Sequence, residues 1–500
     1  MKRNVINKSL GGNLRRFWAV FIGISVALSS CVKDEPVIIS TFTQEMMGEY
    51  LTNQKSDYSE FCKLLDTTKV MGLINTYGEY TLFAPDNNAM QAFYTASGKT
   101  SLKDFPLDAL KKVAYDHLIK GYEITTDKFT DGLMPYLTMS ERYVETSSKT
   151  EAGQYVYYVN QTSAILNQNI LVSNGVIHKI NKVLVPSVLS LPQAIEADDR
   201  FDLFYEALVA TGLADKITLV RDETYDPVKW KYLDVNYHQG SGSKDEIPES
   251  RKYGFTAFIE SDSTYNNVYN IFTLDDMKAY AAAHVYHEDP ADASVTDITD
   301  PRNSLNKFVA YHLADKKLPY VKLIDMYDTD NMIKTYDMYE YIETMNPNTL
   351  MEVKKERISG GLNFINKSPE TGEAVRIVST YKDKDATNGV YHEIDKILIY
   401  DQRVAGEMSS KRIRIDAAAF FPEFTNNNMR IYDRAVPRSW VYPPGYIKRL
   451  TFSEGSYFSY SNAYGGYLDY QSDEIFLLGL YDFELTTPAI PAGTYEVRFS

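Results

Sequence analysis

The sequence predicts an α+β chain: two copies of one sheet-and-helix domain, of sandwich or wedge type, followed by an all-β C-terminal module. Three observations carry that expectation. Asn174-Gly175-Val176-Ile177-His178-Lys179-Ile180-Asn181-Lys182-Val183-Leu184-Val185 returns as Asn388-Gly389-Val390-Tyr391-His392-Glu393-Ile394-Asp395-Lys396-Ile397-Leu398-Ile399, with seven of twelve positions identical. Three further segments recur ahead of it in the same order. Beyond Asp401 the chain switches to short alternating runs separated by turn residues.

Length and charge narrow the function. The 500 residues are too many for one hydrophobic core and fit about three domains. A net charge of −15, from 67 acidic against 52 basic residues, argues against a nucleic-acid surface, because phosphate binding needs a Lys/Arg excess. Two cysteines exclude a disulfide scaffold and a four-cysteine zinc site. Tyrosine is abundant, at 40 residues.

The chain opens on an address. Lys2, Arg3, Lys8, Arg15 and Arg16 precede the apolar run Phe17 to Leu28. Twelve helical residues span roughly 18 Å against a hydrocarbon layer of ~30 Å, so the run reads as a secretory leader, not a spanning helix. Leu28-Ser29-Ser30-Cys31 resembles the lipobox of bacterial lipoproteins. That resemblance implies removal of residues 1–30 and acylation of Cys31, which would tether the chain to a membrane. Val32-Lys33-Asp34-Glu35 is similar to the surface-export signal of Bacteroidota lipoproteins, implying an outer-membrane protein displayed at the cell surface behind a linker at 31–41. Cys62 then has no disulfide partner and reads as a core residue.

Each repeated segment has a local reading. Thr81 to Ala84 forms a short strand stopped by Pro85, and Asp86 caps a helix through Met90 and Phe93. Leu110, Val113, Ala114, His117 and Leu118 fall at helical spacing. Asn174-Gly175 reads as a turn, since both residues tolerate positive φ. The strand behind it places Val176, His178, Ile180 and Leu184 on one face, and Lys182 marks a bend or an edge. The second copy answers with Thr211-Gly212-Leu213-Ala214 for Met71-Gly72-Leu73-Ile74, Phe255 to Ser261 for Tyr80 to Asp86, and Tyr311-His312-Leu313 for Tyr115-Asp116-His117-Leu118. Lys396 repeats the break.

These segments resemble the fasciclin domain, whose signatures are a strand reading Y-T-x-F-A-P-[TD] and a closing strand reading N-G-x-[IV]-H-x-[IV]-[DN]-x-[VI]-L. Both stand in the first copy, at 80–86 and 174–185. The second copy keeps the closing strand but carries Ile259-Glu260 where the signature has Ala-Pro. The resemblance covers roughly residues 42–400, divided as 42–190 and 199–400. It implies a non-enzymatic extracellular domain that binds proteins, matrix or neighbouring cells. It also links the Tyr-His region to receptor contact, pointing to Tyr311, His312 and His117.

Spacing locates what differs between the copies. The second carries 35 extra residues between Gly212 and Thr256, 20 between Thr256 and His312, and 19 between His312 and His392. Loops on a rigid scaffold are common sites of binding specificity. Tyr320, Tyr327, Tyr336, Tyr339 and Tyr341 in the last insert suit stacking contacts or packing of the loop on its own domain. The module at 401–500 reads as an all-β sandwich on the runs 412–415, 429–432, 446–450, 475–483 and 495–499.

Searches for catalysis return nothing. The chain has no G-x-S-x-G elbow, P-loop or dinucleotide fingerprint. His284 and His287 form H-x-x-H within a polar insert without H-E-x-x-H, and His238 beside Gly240-Ser241-Gly242-Ser243 lacks the strand and helix of a phosphate loop. His178 and His392 lie on apolar strand faces and read as hydrogen-bonded core residues. No metal, cofactor or catalytic residue is expected. An alternative to protein adhesion is glycan capture, through Trp440, Tyr442, Tyr446, Tyr457, Tyr460, Tyr464, Tyr467 and Tyr470.

Overall fold

The computed structural model describes residues 45–500 apart from 130–131, 152, 186, 188, 234–244, 324–325, 328–332, 335–340, 357–361, 367–373, 411, 414, 431–437, 463–472, 489, 491–493 and 497–500. The leader, Cys31 and the linker therefore lie outside the described residues, as do His238, the adjoining Gly-Ser run, Tyr336, Tyr339, Tyr464, Tyr467 and Tyr470. No described helix is long and apolar enough to cross a membrane.

The first signature strand, Tyr80–Pro85, runs parallel to the closing strand Gly175–Ile180, with Thr81 beside Val176 and Phe83 beside His178. Leu118–Lys120 flanks it antiparallel. On the far side Ser163–Val172, Gln154–Val159, Tyr143–Glu151 and Gly132–Leu137 complete a seven-stranded sheet. The strand includes Pro85 rather than stopping before it. Proline is tolerated there because the strand ends and the chain turns into the helix Asn87–Ala96. Asp86 caps that helix, accepting from Ala89 N at 2.9 Å, and Met90 and Phe93 face the core. The closing strand ends at Ile180, just before the alternation breaks at Lys182.

The second unit repeats this pattern in register. Phe255–Glu260 lies parallel to Gly389–Ile394, with Thr256 beside Val390 and Phe258 beside His392, and Leu313–Ala314 pairs antiparallel with Phe255–Glu260. Even the loop contacts recur. Thr81 Oγ1 donates to Tyr122 O at 2.8 Å and accepts from Ile124 N at 2.9 Å; Thr256 Oγ1 does the same with Lys316 O at 2.5 Å and Leu318 N at 2.8 Å.

The Asn-Gly pair is more than a turn. Asn174 is buried and has no positive φ; its Oδ1 accepts from Met47 N at 2.9 Å, and its Nδ2 donates to Ile74 O at 2.8 Å and Thr76 O at 2.9 Å. Asn388 makes the same set, with Leu191 N, Ile217 O and Leu219 O. Gly175 sits at φ +151, and a Cβ there would lie 2.0 Å from Tyr80 O; at Gly389 it would lie 2.7 Å from Phe255 O. Glycine is needed for close approach of the parallel neighbour.

Asn388 also corrects a boundary. Helix Leu191–Glu196, outside both predicted ranges, belongs to the second unit: Leu191 N bonds Asn388 and Ile195 is buried in that core.

The all-β expectation for 401–500 does not hold. Helix Gln402–Ser410 opens the region and packs Val404, Ala405 and Met408 into the second unit. The short helix Pro422–Asn426 follows, with a buried Phe424. Arg412, Ile413, Ile415 and residues 446–449 are not in strands, and Leu450 begins Leu450–Phe452. Tyr446, Ile447 and Leu450 instead fill the core beneath a sheet to which they do not belong, beside Phe424, Trp440, Phe458 and Tyr460. The strands that do form, Ser439–Val441, Ser456–Ser461 and Glu474–Gly479, share a sheet with Asp245–Glu246 from the first insert of the second unit. Tyr225 of that insert stacks edge-on to Tyr446 at 5.0 Å. The region is thus completed by residues roughly 200 positions upstream.

The units meet through polar side chains. Arg142 bonds Asp385 and lies 3.7 Å from Asp116; Lys252 bonds Glu141; Lys384 Nζ donates to Gln161 Oε1 at 3.0 Å.

Candidate functional site

The three residues implicated in binding by resemblance lie inside the protein: His117 and His312 are 0% exposed and Tyr311 is 1% exposed. His117 follows helix Leu107–Asp116, with Nδ1 2.7 Å from Val113 O and Nε2 accepting from Leu184 N at 3.0 Å. The ring pins the helix end to the segment behind the closing strand. His312 repeats the first contact with Phe308 O at 2.8 Å, but a carboxylate stands on its other side. Glu260 Oε1 lies 3.0 Å from His312 Nε2 and accepts from Leu398 N at 2.7 Å, while Oε2 accepts from Tyr265 OH at 2.7 Å. Glu260, read from sequence only as a degenerate signature position, is 0% exposed and joins three elements. Tyr311 OH donates to Leu350 O at 3.1 Å and accepts from Asn366 Nδ2 at 2.6 Å. All three residues therefore present no surface to a partner in this fold.

The closing-strand histidines are core residues in matching settings. His178 Nε2 meets Ile124 O at 2.8 Å and His392 Nε2 meets Leu318 O at 3.0 Å. Their rings stack on Phe83 and Phe258 at 5.5 and 5.6 Å. Burial holds His117, His178 and His392 down to about 4. A histidine depressed in the folded state contributes stability above its unfolded value near 6.5, and that contribution is lost as pH falls toward 4, up to about 3 kcal/mol each. Buried carboxyls act oppositely. Burial raises Asp116 to about 6 against the nearby Arg142, and raises Asp383 to about 7 against the amide of Tyr320. It raises Glu145 and Asp262 in the same direction. These groups favour the folded state as pH falls toward the ordinary carboxyl range. Asp116→Asn removes one of them, so between pH 7 and pH 4.5 its urea midpoint should fall relative to that of the wild-type chain; a constant difference between the two proteins across that range would refute the assignment.

The enlarged loops build a cleft of ≈ 600 Å³. Its walls come from the insert around Tyr286, the tip between strands Tyr341–Glu343 and Leu350–Glu356, and helix Gln402–Ser410. Each wall is anchored. Tyr286 N donates to Tyr400 O at 2.9 Å, Thr349 Oγ1 donates to Asn346 O at 2.8 Å, and Asp401 Oδ1 accepts from Val404 N at 2.8 Å at the helix start. The buried Tyr311 lies beneath, its ring 5.4 Å from that of Tyr400. Burial, then Glu288, Tyr286 and Tyr495, push the Tyr400 phenol up to about 12, so it remains a hydrogen-bond donor at neutral pH. Sequence reasoning pointed to these inserts by length but missed Tyr286, Tyr400 and Gly406. The helical glycine was the available signal.

Other candidates have structural placements. His287 Nε2 meets Ser304 Oγ at 2.9 Å and its Nδ1 lies 3.2 Å from Lys307 Nζ, while His284 packs on Tyr280. Among the described residues no cluster of three or more His, Cys, Asp or Glu is arranged to hold a metal. Burial raises the Cys62 thiol, and its side chain packs on the first core. Four of the five described residues of the proposed sugar platform are interior: Trp440, Tyr442, Tyr446 and Tyr460 are all buried with Phe421, Phe424 and Phe458. Tyr341 is buried too, donating to Arg412 O at 3.2 Å.

Comparison with known proteins finds a fasciclin domain at residues 56–186. Over 136 residues the chain is 29% identical to a fasciclin-like arabinogalactan protein of Arthroderma benhamiae, covering 27% of this chain and 30% of that one. It is 26% identical over 154 residues to transforming growth factor-beta-induced protein ig-h3 of Oryctolagus cuniculus, covering 30% of this chain and 21% of that protein. It is also 26% identical over 167 residues to human periostin, covering 33% and 18%. The chain thus spans less than a third of the length of these relatives. A solved fasciclin domain pair from the insect cell adhesion molecule fasciclin I is similar at 15% identity and TM-score 0.28, over 71% of this chain and 98% of that one.

Proposed function

We propose that this chain is a non-enzymatic surface protein that binds extracellular protein or matrix through two fasciclin-type units. The fasciclin match at 56–186 carries the reading. The second unit supports it, because its paired signature strands, its Asn388 contacts and its closing-strand histidine repeat those of the first. Binding falls to exposed loops, since the Tyr-His residues are interior. The glycan alternative loses Trp440, Tyr442, Tyr446 and Tyr460, four of its eight original residues, to the aromatic core around Phe424.

The reading includes a lipid tether at Cys31 that places the protein in the outer membrane facing outward. A dozen apolar residues ahead of a small-residue pair and cysteine support it. Cys31→Ala should abolish incorporation of labelled palmitate and move the protein from the envelope pellet to the soluble fraction. Continued sedimentation of the variant would refute the tether. The binding reading is tested by capture of extracellular-matrix proteins on the full chain in detergent. Absence of any saturable matrix ligand, or turnover of a substrate, would refute it.

A further inference from the structure

We propose that the cleft between Tyr286, the 344–349 turn and helix Gln402–Ser410 is a binding site for a short neutral saccharide. The site differs from the aromatic platform expected from sequence, and the inference does not depend on the adhesion reading.

Size and wall chemistry fit that ligand class. A volume of ≈ 600 Å³ falls within the usual range for small-molecule clefts, roughly 300–1,000 Å³. The rings of Tyr286 and Tyr400 stand 6.4 Å apart at 61°; the partly exposed Tyr286 offers apolar surface with a phenol at the tip, and the buried Tyr400 backs it from the wall. Sugar rings present the complementary combination of C–H faces and hydroxyl edges. Exposed Asn348 and Gln402 add amide donors and acceptors at the rim.

The lining charges disfavour an anionic ligand. Lys307 Nζ donates to Asp292 at 2.8 Å, and Arg302 pairs with Asp300 at 2.6 Å. An incoming anion would have to displace these carboxylates, and Glu288 and Asp289 add two more acids to the lining. A hydroxyl can use the remaining lone pairs and N–H groups without separating the ion pairs.

Gly406 supplies an independent observation. It lies within the helix, where glycine is less favourable than alanine. A Cβ there would meet no heavy atom within 4 Å, so packing does not require glycine. Its backbone lines the cleft, and the missing side chain leaves the floor accessible to a ligand.

The test uses labelled full chain in detergent on an array of immobilised neutral, sialylated and sulfated oligosaccharides, followed by titration calorimetry on any neutral sugar that binds. At least one neutral oligosaccharide should bind, with affinity little changed by high salt. Gly406→Trp, which fills the floor, should weaken it by about tenfold or more without lowering the melting temperature. If that variant melts early, Tyr286→Ala and Gln402→Ala at the rim should show the same loss. A blank array, neutral-sugar binding that survives these variants, or binding confined to charged sugars and abolished by salt would each overturn the proposal. A wild-type chain that captures matrix proteins but binds no neutral sugar would refute this site alone, which separates its failure from failure of the adhesion reading.

Discussion

Asn174→Ala is expected to destabilise the first unit by about 3–5 kcal/mol, enough to unfold a marginal domain. Alanine removes one acceptor and two donors at a buried position, stranding Met47 N, Ile74 O and Thr76 O. Those groups belong to the first described helix and the segment after Val70–Ile74, so their attachment to the closing strand is lost together. Asn174→Asp should fare little better. It keeps the acceptor for Met47 N but puts an oxygen in place of the one nitrogen that donates to both carbonyl groups. Hydrogen exchange of the full chain is the suitable measurement. Amides of 45–185 should lose protection while those of the second unit keep it, and Asn388→Ala should give the reverse. Protection unchanged in both variants would show that the Asn hub is dispensable.

Glu260→Leu is expected to cost the second unit about 3–5 kcal/mol, because it strands three buried partners at once. The hydrogen-bond chain requires one proton between Glu260 and His312. Phe308 O can only accept, so His312 Nδ1 carries a hydrogen. The remaining contact, Nε2 to Oε1, then holds either an imidazolium against a carboxylate or a carboxylic acid against an imidazole. Glu260→Gln cannot satisfy both neighbours: its oxygen serves Leu398 N but faces the His312 lone pair, and its amide reverses the conflict. A loss of about 1–3 kcal/mol is expected for Gln. Of the three tryptophans, Trp230 and Trp440 follow the first unit and Trp18 lies in the leader, so tryptophan fluorescence of residues 32–500 during urea unfolding reports on this region. A cost below about 1 kcal/mol for Leu would mean that Leu398 N has closed directly onto His312, as Leu184 N does onto His117 in the first unit.

The repeat was the most legible feature of the sequence, and the reason is local. Strand alternation, the Asp86 cap and the Asn-Gly pair are set by neighbours in the chain, so they can be read without a fold. The same alternation misled at Ile413 and Ile415, which pack on the second unit, and at 446–450, whose apolar residues fill the C-terminal core without joining its sheet. A pattern of apolar and polar residues records that one side is covered but not by what.

Three features depended on distant partners. Glu260 looked like a lost signature because its value lies in His312 and Leu398, 52 and 138 positions away. Tyr311 and His312 read as contact residues because an aromatic and an imidazole are chemically suited to binding; their burial follows from packing against Leu350, Phe308 and Glu260. The cleft is assembled from three segments spread over more than a hundred residues, none with a motif of its own.

The sequence by itself determined the paired signature strands of the two units and the interior histidines of both closing strands, because each is written in short-range spacing. Only the tertiary structure decided that Asp245–Glu246 completes the C-terminal sheet, that the aromatic-rich tail is a core, and that the inserts converge on a cleft. Burial and convergence are properties of which surfaces meet. They are fixed by contacts between segments far apart in the chain, to which periodicity and local propensity are blind.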